Sequence, residues 1–258
     1  MLGQMAEIAG ARSVMPGISM HWLQGMDGTT PDGMPPRLLS AGPVSVALEA
    51  GQLRHLRYRG IEIVRSLGFV VRDGEGEKIA PRIHGWQARE AHGRFEITAE
   101  ARVLLHGHSL CYVLHIAACA RRLRLTVKAS ARTGFSAGLA GLEILLPRSG
   151  MAGRQVQVED IGGDCQHTWM PEPQALLQPL SMLHALAYES QPGLQIGCRV
   201  LGGHFELAGQ RHGAGGLFRI QARALAQTGC RLPEHGQLLQ MASFTFDDAP
   251  VPAACPAR

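Results

Sequence analysis

Apolar and polar residues alternate along much of the chain. Val44, Val46 and Leu48 interleave with Ser45, Ala47 and Glu49, and Ala50-Gly51 ends the run at a turn. A period of two puts successive side chains on opposite faces of a sheet, so the chain becomes β from Gly42. Gln52 to Tyr58 follows as a second strand, Arg59-Gly60 makes a two-residue turn, and Ile61 to Asp73 continues as a long apolar strand. Two hairpins in succession are the simplest account.

After the turn at 74–78, the odd positions from Phe95 to Leu105 are apolar while Glu96, Thr98, Glu100 and Arg102 are polar, which predicts a strand with one buried face. Residues 110–118 are apolar on both faces and suit a central strand, and Leu123, Leu125, Val127 and Ala129 then alternate with Arg122, Arg124, Thr126 and Lys128 on a solvated face. Leu142, Ile144 and Leu146 precede Pro147, and Val156 and Val158 precede Glu159-Asp160. From Ala175 to Ala187 the spacing is helical, but Pro179 interrupts it, which favours loop followed by strand. Two strand-like segments between Gly197 and Leu225 flank a polar loop with Gln210, Arg211 and His212, and Leu238 to Phe246 is the last strand.

Turn signals recur about every 8 to 12 residues with almost no helix between them, which predicts an all-β fold, a large antiparallel β-sandwich or barrel. The organisation expected is an irregular N-terminal arm over 1–36, a single β-sandwich domain over 37–246 and a loose tail over 247–258. The arm holds six of the ten methionines together with TTPDGMPP, whose prolines and glycines block regular pairing.

Charge narrows the function classes. The excess of 25 basic over 21 acidic residues is thin and scattered, unlike the concentrated basic face of a nucleic-acid protein. No segment approaches the roughly 20 apolar residues of a membrane span, and no N-terminal leader pattern is present. The six cysteines, at 111, 119, 165, 198, 230 and 255, form no CxxC pair and no metal-ligand spacing. A cytoplasmic protein with reduced thiols is expected, with no nucleic acid, no membrane and no cofactor.

No GxSxG, HExxH, Walker or GxGxxG signature occurs. His106-Gly107-His108 would place two imidazoles on one face if the strand persisted, but no third ligand is evident and no metal is expected. His115 sits in an apolar strand and reads as a core histidine. Glu143, Asp160, Asp164 and Glu206 are candidate bases, each also explained as a strand-end carboxylate. Arg65 and Arg72, seven apart, fall on opposite faces of an ideal strand, and a bulge at Gly68 would bring them to one side. With Arg211 and Arg219 they would make a carboxylate-binding pocket, since the planar fork of donors on each guanidinium matches a carboxylate. Independent surface arginines are the alternative.

The hairpin region LLSAGPVSVALEAGQLRHLRYRGIEIVRSLGFVVRDGEG, the segment LEILLPRSGMAGRQVQVED, and Cys198-Arg199, Gly202 to Glu206, Gln210-Arg211 and Phe218-Arg219 resemble the N-terminal domain of D-apionate lactonase-like proteins. The resemblance runs from about Arg37 to Phe246. It implies a galactose-mutarotase-like supersandwich and chemistry on a sugar acid or sugar lactone, with a small-molecule ligand. Where the family carries Glu-Asp-Gln-Arg-Asn-Trp-Thr-Asp, this chain reads Ala208, Gly209, Gln210, Arg211, His212 and then Gly213 to Gly216 without an acid. The Asn-Trp-Gly step after Arg-Asp is likewise Gly74-Glu75-Gly76.

The reading that follows is a carbohydrate-processing or carbohydrate-binding protein acting by lactone hydrolysis or a mutarotase-like isomerisation. His212 or Glu143 would be the base, and Arg65, Arg72, Gln210, Arg211 and Arg219 would bind the anionic end. The alternative is a non-catalytic binding or assembly subunit, and the Met-rich arm would suit a homo-oligomer contact or a partner chain.

Overall fold

A computed structural model of the chain describes residues 36–172, 178–210, 216–223 and 230–248. Nearly all of the expected arm, most of the tail, and Arg211 and His212 lie outside the described residues.

The expected hairpins are present. β1 (Arg37–Ala41), β2 (Val44–Glu49), β3 (Gln52–Tyr58) and β4 (Ile61–Arg72) form an antiparallel meander. β1, which the alternation did not reveal, pairs along its whole length with β2. Short β5 (Lys78–Ile79) returns against β4. A second meander follows through β6 (Arg82–Ala91), β7 (Arg94–Leu105), β8 (His108–Cys119) and β9 (Arg122–Ala131). The turns Ala50-Gly51, Arg59-Gly60 and His106-Gly107 hold both residues at positive φ, the twist that lets a two-residue loop join strands without splaying them.

The remaining strands are β10 (Phe135–Ala137), β11 (Leu139–Pro147), β12 (Gln155–Asp160) and β13 (Cys165–Trp169). After them come β14 (Leu180–Gln191), β15 (Leu194–Leu201), β16 (His204–Gln210), β17 (Leu217–Arg223), β18 (Cys230–Leu232) and β19 (Gln237–Asp248). Among the described residues the one helical piece is a 3-10 turn at Arg148–Gly150, so residues 180–187 are strand, as Pro179 suggested. β10 and β18 pair as a separate ribbon.

The other strands make one antiparallel sheet that curls into two layers. In the first, β11 lies between β4 and β17, and β17 continues to β16. In the second, β8 leads to β9, β19 and β15. β14 joins the layers: Leu180–Leu183 pairs with β16, while Ala185 onward pairs with β15 and β12. The register with β16 slips between Ser181 and Leu183, at Met182 with φ +63°, a bulge that bends the strand just before it changes partner.

The core fills the space between the layers. Leu67, Ile144, Ile220 and Leu207 form a buried row across the first layer, and Leu123, Phe244, Cys198, Leu186 and Val158 another across the second. Phe69 meets Tyr112 and Tyr58 stacks on Phe246, each with centroids 4.8 Å apart, tying the layers together.

Three expectations are corrected. His115 is not a core histidine: it sits on the outward face of β8, with Nε2 2.6 Å from Glu96 Oε1. His106 and His108 do not share a strand face, because His106 is a turn residue at φ +50°. No bulge occurs at Gly68, since β4 and β11 stay in register from Ser66 opposite Leu145 to Arg72 opposite Leu139.

Candidate functional site

The strands of the first layer that bury Leu67, Ile144, Ile220 and Leu207 inward must present the alternate residues outward. In register these are Gly68 on β4, Glu143 on β11, Gln221 on β17, Glu206 on β16 and Ser181 on β14. The neighbouring outward row reads Arg54, Ser66, Leu145, Arg219 and Ala208. Five strands thus place polar groups side by side that are scattered over more than 150 residues of sequence.

Glu143 is the centre of this face. It is buried, at 8% exposure, and is held by Arg72, whose Nη2 donates to Oε2 at 3.0 Å and Oε1 at 3.3 Å. Arg72 also donates through Nη1 to the Gly76 carbonyl at 3.2 Å, so the turn after β4 fixes the guanidinium. Gly68 lies directly opposite Glu143, and a Cβ there would come within 2.9 Å of Gln52 Cγ. The glycine is what lets the Gln52 side chain pack closely over β4 at this point.

Two more cations bear on Glu143. Lys78 pairs in register with Arg72. Crowding around its amine and then the charge of Arg54 hold its pKa below the ordinary lysine value, while Glu143 pulls the other way and Arg72 adds to the lowering. Lys78 is exposed as a whole residue, so solvent screening keeps the effect of this shift on stability small. The Nε atoms of Arg54 and Arg72 are buried without a hydrogen-bond partner. One carboxylate among three cations leaves a positive surface whose unused donors suit an anion.

Arg72, Glu143 and Arg219 therefore share one outward face. Arg65 does not join them, because its guanidinium is taken by Glu62, with bonds of 2.7 and 2.9 Å. Gln210 closes β16 opposite Leu217, and Arg211 and His212 follow outside the described residues. Asp160 caps its own turn, accepting from the Gly162 and Asp164 amides, which is the strand-end role.

The sequence reading missed Arg54, Lys78 and Arg148. Arg54 and Lys78 sit in short hairpin strands where a basic residue looks like ordinary solvated surface. Arg148 is 1% exposed, with its guanidinium 4.7 Å above the Phe218 ring and its Cδ 2.8 Å from where a Gly216 Cβ would be. It packs beneath Gly216, and the glycine is what allows that close approach. Among the described residues no group of three His, Cys, Asp or Glu is placed to hold a metal ion, and no helix is long and apolar enough to cross a membrane.

Comparison with known proteins agrees with this architecture. The model for the D-apionate lactonase N-terminal domain matches residues 25–248, and the chain belongs to that family. The D-apionate lactonase of Brucella anthropi is 30% identical over 228 residues, covering 84% of this chain and 37% of that protein. The chain thus spans well under half the length of this relative. A putative aldose 1-epimerase from Escherichia coli K12 has a similar fold, with a TM-score of 0.56 at 12% identity, covering 84% of this chain and 100% of that one. A galactose mutarotase-like protein from Clostridium acetobutylicum gives 0.51 at 6% identity, covering 82% and 94%. At such identities the likeness establishes the galactose-mutarotase-like β-sandwich and nothing finer.

Proposed function

We propose that the chain binds a sugar lactone, or the sugar acid formed from it, on the Arg72–Glu143 face, and that Glu143 activates the water that opens the ring. The observation that carries this reading is the buried carboxylate of Glu143, held by Arg72, with Arg54 and Lys78 on the same outward face. Water adds to the lactone carbonyl while its proton passes to the carboxylate, and the ring C–O bond then breaks as that proton is delivered to the leaving oxygen. The cations stabilise the oxyanion as it forms and hold the product carboxylate. His212 is the other candidate base, with Gln210, Arg211 and Arg219 completing the binding face.

The test is proton release from a panel of aldonolactones by the full chain. Turnover lost in Glu143→Gln, and weakened in Arg211→Ala, supports the reading. Equal slow hydrolysis by wild type and both variants refutes it.

A non-catalytic sugar-acid-binding role is the second reading. It is favoured by the fact that both Glu143 oxygens already accept from Arg72, which competes with proton abstraction. Saturable lactone binding without proton release would select it.

A further inference from the structure

We propose that the outward face of β9, β19, β15, β14 and β12, in the second layer, is a separate binding site for a small carboxylate that also carries hydroxyl groups. The inward row Leu123, Phe244, Cys198, Leu186 and Val158 is flanked by two outward rows. One reads Arg122, Thr245, Gly197, Ala187 and Gln157, and the other Arg124, Ser243, Arg199, Ala185 and Glu159. Together they line a cleft of about 360 Å³, within the range of small-molecule sites. The sequence pattern marked Arg122 and Arg124 as a solvated strand face; only the pairing of β9 with β19 shows what they face.

The floor is low and the two ends differ chemically. Gly197, Ala185 and Ala187 raise nothing taller than a methyl group, and a Cβ on Gly197 would lie 2.5 Å from Thr245 Oγ1. The Thr245 hydroxyl thus leans over Gly197, while Ala185 and Ala187 leave a low floor beside it for a ligand. At the β12 end Glu159 is already engaged, 3.0 Å from His184 Nδ1 and 3.4 Å from Arg199 Nη2. At the β9 end Arg122 and Arg124 have no carboxylate among the described residues, and Arg124 Nε is buried without a hydrogen-bond partner. That end takes a carboxylate. The hydroxyls of Ser243 and Thr245 stand on the next strand, and Gln157 and Glu159 across the floor offer acceptors for ligand hydroxyls. A bare inorganic anion would use the arginines and leave the far side idle, whereas a polyhydroxy acid uses both. The site does not depend on the Arg72–Glu143 reading.

The experiment is calorimetric titration of the full chain with sodium gluconate, sorbitol and sodium sulfate, with gluconate-induced amide shifts recorded by NMR. Gluconate is expected to bind and to shift the Gly197 and Ala187 amides, with sorbitol and sulfate at least ten-fold weaker. Arg124→Gln, which removes charge, and Ala187→Leu, which fills the floor and keeps the charge, should each weaken this event at least ten-fold with unchanged melting temperatures. Arg72→Gln should leave it intact. Absence of gluconate binding, binding indifferent to both second-layer variants, or binding lost in Arg72→Gln alone would overturn the proposal, and sulfate binding as tightly as gluconate would overturn the polyhydroxy part of it.

Discussion

Tyr58 in β3 donates a hydrogen bond to Asp248 at the end of β19, 2.8 Å away in space and 190 residues away along the chain. Arg59 pairs with the same carboxylate at 2.9 Å, and the Tyr58 ring stacks on Phe246. The first meander is thereby fastened to the last strand.

Tyr58→Phe keeps the ring stack and removes only this bond. Because the acceptor is charged, the loss should be about 1.5 kcal/mol, read as a fall in melting temperature of about 3–6 °C. Burial, and then Asp248, push the Tyr58 hydroxyl above its ordinary pKa of 10.0. The neutral donor is favoured in the fold, so its contribution is complete below pH 10.0 and fades only as pH rises through the higher folded value. An equal wild-type and variant melting temperature at neutral pH would contradict the assignment.

Breaking the Arg72–Glu143 pair from one side should cost more than removing both partners. Arg72→Met leaves a buried carboxylate without its partner, with an expected loss of about 2 kcal/mol, below the range for a fully buried pair because the Arg72 side chain is 28% exposed. The double variant Arg72→Met, Glu143→Leu should recover part of that loss in urea unfolding. A double variant as unstable as the sum of the singles would show that the two residues do not act on each other.

Lys78 gives a signed pH effect. Its folded pKa is depressed, so just below the ordinary value of 10.5 the unfolded chain holds a proton that the folded chain has lost. Stability from this group therefore rises as pH climbs through that window. Lys78→Met should flatten the rise in urea midpoint just below pH 10.5. The chain has only two lysines, Lys78 and Lys128, so reductive ¹³C-methylation followed by NMR titration can compare them directly. Lys78 titrating at or above the ordinary value of 10.5 would refute the charge balance described for the site.

Thiol labelling should separate the cysteines by burial. Burial pushes the Cys198 thiol up to about 12, and the residue is 3% exposed, so at pH 8 it presents almost no thiolate. Cys119 and Cys165 are exposed and should be alkylated first, with Cys198 modified only on unfolding. Peptide mapping after timed iodoacetamide treatment reads the order directly, and early modification of Cys198 would be incompatible with its place in the core.

The sequence by itself determined the strands. The alternation of Phe95 to Leu105 and of Leu123 to Ala129, and the turns Ala50-Gly51 and Arg59-Gly60, are local consequences of side-chain period and backbone dihedral, legible without any partner strand. Local patterning also left clear errors: β1 is short, and His115 reads as core because its polar ring interrupts an otherwise apolar strand. What only the tertiary structure decided is which outward residues meet. Arg54, Arg72 and Lys78 gather around Glu143 because β11 threads between β4 and β17, while Arg65 on the opposite face turns to Glu62 instead. Arg122 and Arg124 face Ser243, Thr245 and Arg199 because β19 lies between β9 and β15. Strand pairing between distant segments is fixed by burial of the inward rows, and the outward rows are carried along in register. Both candidate sites are therefore by-products of how the core closes, invisible to a pattern read along one strand at a time.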